Sequence, residues 1–212
     1  IQAIDSFDDM NLNMKLLRGI YAYGFEKPSK IQASAIVPIT KGYDIIGQSQ
    51  SGTGKTGTFL IGTLNNIDPE LKTTQALILA PTRELSQQIF NVCNNICSYM
   101  KLNNYLLIGG NSRKEDIYNL NNNNYHIIVG TPGRVYDMLK NLSLKTKALK
   151  MFVVDEADEM LSKGFQDQIY EIFQYIPKQC QVCLFSATIP QEALEITNRF
   201  MNDPVRILIK KE

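Results

Sequence analysis

Short apolar runs alternate with segments of helical periodicity along almost the whole chain, and this alternation restricts the folds available to it. The runs are apolar throughout and rich in β-branched residues, as strands buried on both faces of a parallel sheet are. Seven strands are predicted, at 44–47, 75–80, 104–108, 126–130, 151–154, 182–186 and 205–209. Helices are predicted near 55–64, 84–100, 112–119, 133–140, 165–175 and 191–200. This order predicts an α/β fold in a single domain, with a doubly wound, mostly parallel sheet flanked by helices.

The segments outside this pattern complete the predicted organisation. Two helical segments, 11–22 and 29–40, precede the first strand, so residues 1–40 are expected to pack on the domain formed by 41–209. Residues 210–212 are expected to begin a linker. The asparagine-rich stretch 119–124 predicts a solvated loop. The single histidine, His126, is expected to have a structural role at the start of a strand.

Composition excludes several classes of function. The chain has 212 residues and a net charge of +1, so any affinity for nucleic acid must come from a local basic face. No apolar run reaches the ~18 residues of a membrane span, and no membrane association is expected. The four cysteines, at 93, 97, 180 and 183, have no histidine beside them. They are predicted to be buried free thiols rather than zinc ligands or a redox pair, which indicates an intracellular location, in cytoplasm or nucleus.

A glycine-containing loop, 49–56, lies between the strand at 44–47 and a helical segment. This context is typical of a phosphate-binding loop, whose backbone N–H groups converge on an anion at a helix N-terminus. Lys55 is expected to reach the β- and γ-phosphates, and the Thr56 hydroxyl is expected to bind Mg²⁺. Ser49 stands where the strict pattern has glycine, so a chance turn remains the alternative for the loop alone. The predicted nucleotide contacts are Ser51, Gly52, Thr53, Gly54, Lys55 and Thr56.

Two carboxylates follow the apolar strand at 151–154. Because the carboxyl ends of parallel strands face the ligand crevice, Asp155 and Glu156 are expected beside the phosphate loop. Asp155 is predicted to hold Mg²⁺, partly through water, and Glu156 to orient and deprotonate an attacking water. Lys55, Asp155 and Glu156 are therefore the predicted catalytic residues. A solvated helix start is the alternative for the acidic pair alone.

Five further stretches occur in the order of one family's motifs, at 24–32, 81–85, 109–110, 131–134 and 186–188. An aromatic residue, Phe7, lies 17 residues before Gly24, and residues 155–158 read Asp-Glu-Ala-Asp. Together with the phosphate loop, these stretches resemble the first domain of DEAD-box RNA helicases over essentially the whole chain. The strongest likeness is to the translation initiation factor 4A family and its exon-junction paralogue. The resemblance implies a RecA-like fold.

The resemblance also implies a site that selects ATP over GTP. Gln32 is a planar amide that can pair with the donor and acceptor edge of adenine. Phe7 is expected to stack on the base, and Lys27 to lie at the same pocket. A hydrophobic staple between the N-terminal helices is the alternative for Phe7 and the expectation for Phe25.

An RNA track is implied at the same edge of the sheet. Its contacts would be to phosphate and sugar, with little sequence preference. Ordinary capping and turn residues at the start of helices are the alternative. Asp158, Ser186 and Thr188 are implied to couple nucleotide state to RNA work, although capping explains the hydroxyls locally. The implied RNA contacts are Pro81, Thr82, Arg83, Gly109, Gly110, Thr131, Pro132, Gly133 and Arg134.

The function implied is an ATP-dependent RNA helicase, an RNA-dependent ATPase that uses Mg²⁺ and acts on single-stranded RNA in translation initiation or mRNA processing. Its implied partners are initiation-factor or exon-junction proteins. In this family a second RecA-like domain supplies an arginine finger, worth about 10³–10⁵ in rate. No motif of that second domain occurs in this sequence, so the chain alone is expected to hydrolyse ATP negligibly. It is also expected to be a monomer. An ATP-locked RNA clamp of the exon-junction type and a DNA-directed or other nucleotide-driven motor remain alternatives.

Overall fold

The computed structural model describes residues 2–210, which form one sheet with helices on both faces. The strands are β1 (Ile45–Gln48), β2 (Ala76–Leu79), β3 (Asn104–Leu107), β4 (Ile127–Gly130), β5 (Met151–Val154), β6 (Gln181–Ser186) and β7 (Val205–Leu208). The helices are a 3₁₀ turn (Phe7–Met10), α1 (Met14–Tyr23), α2 (Lys30–Thr40), α3 (Lys55–Asn65), α4 (Arg83–Ile96), α5 (Arg113–Asn122), α6 (Pro132–Lys140), α7 (Ala157–Ser162), α8 (Gln166–Phe173) and α9 (Gln191–Phe200). Lys211 and Glu212, two of the three predicted linker residues, lie outside the described part.

All seven strands are parallel, in the order β3-β4-β2-β5-β6-β1-β7. The predicted doubly wound sheet is therefore confirmed. β1 lies between β6 and β7, and β5 lies between β2 and β6. As a result, the loops that follow β1, β2, β5 and β6 all open at one edge of the sheet.

Every strand except the edge strand β7 contributes alternate side chains to two separate hydrophobic cores, which is why the inner strands are apolar throughout. In β5, Met151 and Val153 join one core, while Phe152 and Val154 join the other. The first core also contains Leu16 of α1, so the N-terminal helices are part of the same packed layer. Both faces of β5 are thus fixed by packing, and its carboxyl end has a fixed position.

Three local features differ from the sequence prediction or extend it. The loop predicted at 119–124 is wrong as far as Asn122, because α5 continues to that residue. The Asn119 amide donates to the Tyr105 hydroxyl at 3.2 Å, and the Asn121 amide donates to the Ser143 hydroxyl at 3.1 Å. These partners compensate for the weak helix propensity of asparagine. The 3₁₀ turn and α7 were not predicted, because neither is long enough to show a periodicity.

His126 has the structural role predicted for it. It is 2% exposed, its Nδ1 accepts a hydrogen bond from the Asn103 N–H at 3.0 Å, and its Nε2 lies 2.9 Å from the Pro69 carbonyl oxygen. Both ring nitrogens therefore join loops at the edge of the sheet opposite the crevice. The cysteines at 93, 97, 180 and 183 are free and buried. Across residues 2–210, no helix combines the length and apolar character needed to cross a bilayer.

Candidate functional site

The loop between β1 and α3 has the backbone of an anion site. Gly52 and Gly54 have φ angles of 82° and 98°, a region that residues with a side chain rarely adopt. Gly54 is the N-cap of α3 and offers no side-chain acceptor. Within the described chain, the backbone N–H groups of 51–56 donate to no protein acceptor. They are the unpaired donors of a helix N-terminus and remain available for a phosphate.

Ser49 is buried in this loop and hydrogen-bonded within it. It is 2% exposed, and its Oγ lies 2.9 Å from the Thr53 hydroxyl, which donates to the Gln50 carbonyl at 2.7 Å. Its N–H donates to the Ser186 carbonyl at 3.2 Å. The backbone N–H of Ser49 therefore joins the loop to β6, and its side chain joins the start of the loop to Thr53, a contact that glycine could not make.

The N-terminus of α2 packs directly on the phosphate loop. Gln32 Oε1 accepts from the Ser29 N–H at 2.9 Å, and Gln32 Nε2 donates to the Gly54 carbonyl at 3.2 Å. A Cβ at Gly54 would lie 2.4 Å from Ser29 Oγ, and a Cβ at Gly57 would lie 2.7 Å from Gln32 Nε2. Glycine is therefore required at both positions for this close approach, which places Gln32 directly beside the phosphate loop.

Beside Gln32 lies a cavity of about 430 Å³ that extends from the phosphate loop to α4. Phe25 lines it, whereas its position in the sequence predicts only packing between helices. Phe7 is 1% exposed, and its ring centroid lies 6.2 Å from that of Phe25 and 6.2 Å from that of Tyr21. In this structure Phe7 supports Phe25 from behind and has no free face on which a base could stack. Lys27 is exposed and does not line the cavity.

Asp155 lies at the carboxyl end of β5 and is 2% exposed. Its Oδ1 accepts from the Glu156 N–H at 2.9 Å. Burial raises the pKa of Asp155 to about 6, and the nearby Lys55 ammonium opposes this rise. Lys55 is itself only 7% exposed. Lys55 and Asp155 therefore lie close enough for their charges to interact, in a place where both are largely desolvated.

The donor set suits Mg²⁺ rather than a metal held by the protein alone. No group of three or more His, Cys, Asp or Glu side chains that could hold a metal exists among residues 2–210. Mg²⁺ is usually bound by one or two carboxylates together with substrate phosphates and water. The Asp155 carboxylate and the Thr56 hydroxyl are donors of that kind, and Thr56 lies in the first turn of α3 beside the loop.

Glu156 combines backbone strain with a perturbed carboxyl group. Its φ is 50°, in the left-handed region, and such strain in a non-glycine residue is concentrated at functional sites. A hydrogen bond with Glu159, then burial, raises the pKa of Glu156 to about 7. Glu156 and Lys55 face one cavity of about 450 Å³. Its lining is Ser51, Lys55, Glu156, Asp158, Glu159, Ser162, Ala187 and Thr188.

The acidic tetrad at 155–158 is hydrogen-bonded to the end of β6. Asp158 Oδ2 accepts from the Thr188 N–H at 3.1 Å and from the Thr188 hydroxyl at 2.9 Å. The Asp158 N–H donates to the Ser186 hydroxyl at 3.1 Å, and that hydroxyl donates to the Thr188 carbonyl at 2.6 Å. These hydrogen bonds therefore join the loops after β5 and β6 at the mouth of the cavity.

The loops after β2 and β3 meet through Arg83. Thr82 caps α4 by accepting from the Leu85 N–H at 3.1 Å, and Pro81 is buried. Arg83 is exposed, and its guanidinium lies against Gly109 and Gly110. A Cβ at Gly110 would lie 2.5 Å from Arg83 Nη1. The predicted residues of these two loops are thus brought together at one surface.

The loop after β4 presents backbone rather than a free arginine. Thr131 is the N-cap of α6, Pro132 occupies its first turn, and Gly133 is exposed with open space around it. The guanidinium of Arg134 is turned inward in this structure, and its direct contact with RNA stays a prediction. It pairs with Asp116 at 2.5 Å and donates to the Asn111 carbonyl at 3.1 Å.

Sequence reasoning missed three residues of this edge: Phe25, Asp116 and Glu159. Asp116 and Glu159 each lie within the first turns of a helix that starts at the crevice, α5 and α7. The place of each residue near the start of such a helix could have identified it from the sequence, because acidic residues there lie beside the loops that form the crevice. For Phe25, the signal was its place inside the stretch 24–32.

Comparisons with known proteins identify the family of this arrangement. Residues 29–196 match the DEAD/DEAH box helicase family. The chain is 58% identical over 209 residues to an ATP-dependent RNA helicase eIF4A of Mycosarcoma maydis, covering 99% of this chain and 51% of that protein. It is 59% identical over 211 residues to the protein of the same name in Chaetomium globosum, covering 100% and 53%. The chain spans about half the length of these curated relatives.

Solved structures show the same likeness. A DEAD box protein from the hyperthermophile Methanococcus jannaschii has a TM-score of 0.93 at 34% identity, covering 98% of this chain and 57% of that one. S. cerevisiae Dbp5, solved in a complex with Gle1 and IP6, has a TM-score of 0.91 at 35% identity, covering 99% and 54%.

Proposed function

Because the chain belongs to the DEAD/DEAH box helicase family, we propose that it is the ATP-binding half of an ATP-dependent RNA helicase of the initiation factor 4A type. The observation that carries this proposal is the convergence of Lys55 and Glu156 on one cavity. Buried Asp155 lies beside that cavity, and the loop with unpaired N–H groups borders it. Relatives under that name are about 58% identical over nearly the whole chain, which supports the initiation-factor reading over the clamp alternative.

Each residue then has a role that follows from its surroundings. The backbone N–H groups of 51–56 bind the phosphates, and Lys55 neutralises their charge in a partly desolvated place. Mg²⁺, when bound, would neutralise charge on the phosphate oxygens, and Asp155 and Thr56 would hold it. Glu156 accepts a proton from the attacking water, because it faces the same cavity and has a pKa near neutrality.

The base of ATP is proposed to enter the cavity lined by Phe25 and Gln32. Gln32 offers an amide edge there, and Phe25 offers part of a ring. Phe7 holds that ring in place from behind, and Lys27 is proposed to contact the nucleotide from its exposed position. The RNA strand is proposed to lie across the exposed Arg83, Gly110 and the N-terminus of α6, with contacts to phosphate and sugar.

The proposal is tested with the full-length protein by measuring ATP hydrolysis in the presence of single-stranded RNA and of DNA of the same sequence. We expect stimulation by RNA and little by DNA. Glu156→Gln should lower kcat by about 10²–10⁴, the usual contribution of a positioned base, and leave ATP affinity within about threefold. Equal stimulation by DNA, or turnover that survives Glu156→Gln, contradicts the proposal.

We further propose that the whole protein works in an intracellular compartment, in cytoplasm or nucleus, with protein partners of the initiation-factor or exon-junction kind. The four buried free cysteines support a reducing compartment. Pull-down of the full-length protein with and without a non-hydrolysable ATP analogue separates the two classes of partner. A complex that persists only with the analogue bound would favour the clamp alternative.

A further inference from the structure

The geometry points to Asp116 as a positioning residue for RNA, acting through Arg134 on the loops that form the RNA track. This inference rests on the proposed RNA-binding function of that edge. Asp116 belongs to none of the motifs that identify the family. It lies one turn into α5, and its side chain is 3% exposed.

The contacts of Asp116 link three separate elements. Its Oδ2 pairs with Arg134 at 2.5 Å, and its Oδ1 accepts from the Tyr105 hydroxyl of β3 at 2.5 Å. The same Arg134 nitrogen donates to the Asn111 carbonyl at 3.1 Å. Asn111 directly follows Gly110, so the arginine fixes the turn at Gly109–Gly110 relative to the start of α6.

The ion pair is desolvated, which makes it a rigid connection. The side chain of Arg134 is 12% exposed, and that of Asp116 is 3% exposed. If Asp116 loses its charge, the Arg134 guanidinium loses the partner that compensates for its burial. Its inward orientation is then no longer favoured. The Asn111 carbonyl then loses its fixed donor, and the spacing between the two RNA-facing backbone segments is no longer set.

The same pair of helices provides a matched control. Arg113 of α5 pairs with Asp137 of α6 through two hydrogen bonds, at 2.6 and 3.0 Å. Both side chains are much more exposed, at 54% and 34%. Exposed ion pairs contribute little to geometry or stability. Asp137→Asn therefore removes a contact between α5 and α6 without touching the track.

The experiment compares Asp116→Asn and Asp137→Asn in the full-length protein, with affinity for fluorescent poly(U) RNA and for ATP–Mg²⁺ as separate readouts. We expect Asp116→Asn to weaken RNA binding about tenfold, the scale of coupling within a charged network, with ATP affinity unchanged. Asp137→Asn should leave both within about twofold. In an Arg134→Gln background, Asp116→Asn should cause no further loss of RNA affinity, because its only route to RNA is then absent.

RNA affinity equal to wild type in Asp116→Asn, or an equal loss in Asp137→Asn, overturns the inference. If Asp116→Asn does not fold, the double variant Asp116→Asn with Arg134→Gln replaces the buried pair by two neutral amides. That variant must bind ATP normally and RNA weakly. A wild-type protein that binds ATP but no RNA would instead refute the proposed function itself.

Discussion

The carboxyl group of Glu156 gives a quantitative prediction, because its surroundings set its pKa. The hydrogen bond with Glu159 is the largest cause that raises this pKa to about 7, ahead of burial and the charge of Asp155. A base acts only when it is deprotonated, so a raised pKa removes activity as pH falls below neutrality. Glu159→Gln removes the charge of this partner and gives it an amide N–H that can donate to the ionised Glu156 carboxylate, so it should lower the pKa of Glu156 and extend activity to lower pH.

The size of the effect follows from the fraction of Glu156 that is ionised. With a pKa of about 7, roughly one tenth is ionised at about pH 6. If Glu159→Gln lowers this pKa by about one unit, roughly half is ionised at the same pH, which is about a fivefold gain. Burial also raises the pKa of Asp155 to about 6, but Glu159 is the smallest of its causes. The ionisation of Asp155 is therefore nearly the same in the wild type and in Glu159→Gln. It cancels in the ratio of their kcat/KM values.

The assay is kcat/KM for ATP–Mg²⁺ at saturating RNA, measured with full-length protein between roughly pH 5.5 and 8.5. This parameter reports the ionisation of the free enzyme, before the metal arrives with the nucleotide. Glu171→Gln, an exposed change on α8, is the matched control and should leave the profile unchanged. If the acidic limb of the pH profile of kcat/KM does not shift in Glu159→Gln, the reasoning is refuted.

Two further substitutions test the contacts around the nucleotide. Gly57→Ala places a Cβ 2.7 Å from Gln32 Nε2 and 3.2 Å from Phe25 Cζ. ATP affinity, measured by titration calorimetry, should therefore fall at least tenfold, or ~1.4 kcal/mol. Unchanged affinity would show that α2 does not form the base cavity. Thr188→Val removes the hydroxyl that donates to Asp158 at 2.9 Å, a bond to a charged acceptor worth about 1.5–3 kcal/mol. It should lower RNA-stimulated turnover more than ATP affinity, and an equal loss of the two would contradict a coupling role.

The strands and the phosphate loop could be predicted from the sequence because each depends on local pattern. β5 needs only an apolar run with both faces buried, and Gly54 needs only a backbone that bends at a helix start. Arg134 could not be predicted in the same way. Its motif places it correctly at the start of α6, but the direction of its side chain depends on Asp116, which is distant in sequence and belongs to no motif.

Phe7 illustrates the same limit. Its spacing from the stretch 24–32 correctly brings it beside the base cavity, yet the 3₁₀ turn that carries it is too short to show a periodicity. The packing of its ring behind Phe25 depends on how α1 and the loop after it fold together. Sequence spacing therefore indicated the neighbourhood, and tertiary packing decided which ring faces the cavity.

The hydrogen bonds of Gln32 have a consequence for the proposed recognition of adenine. A carboxamide has two ends of nearly equal shape, so a freely rotating glutamine can present either a donor or an acceptor at a given point. Ser29 donates to one end and Gly54 accepts from the other, which removes this ambiguity before any nucleotide binds. The amide keeps one further N–H and one further lone pair, in a fixed order. Adenine offers an acceptor and a donor in the matching order, whereas guanine offers two acceptors on the same edge. If adenine pairs with Gln32 as proposed, discrimination against GTP depends on the backbone of two other residues as much as on Gln32 itself.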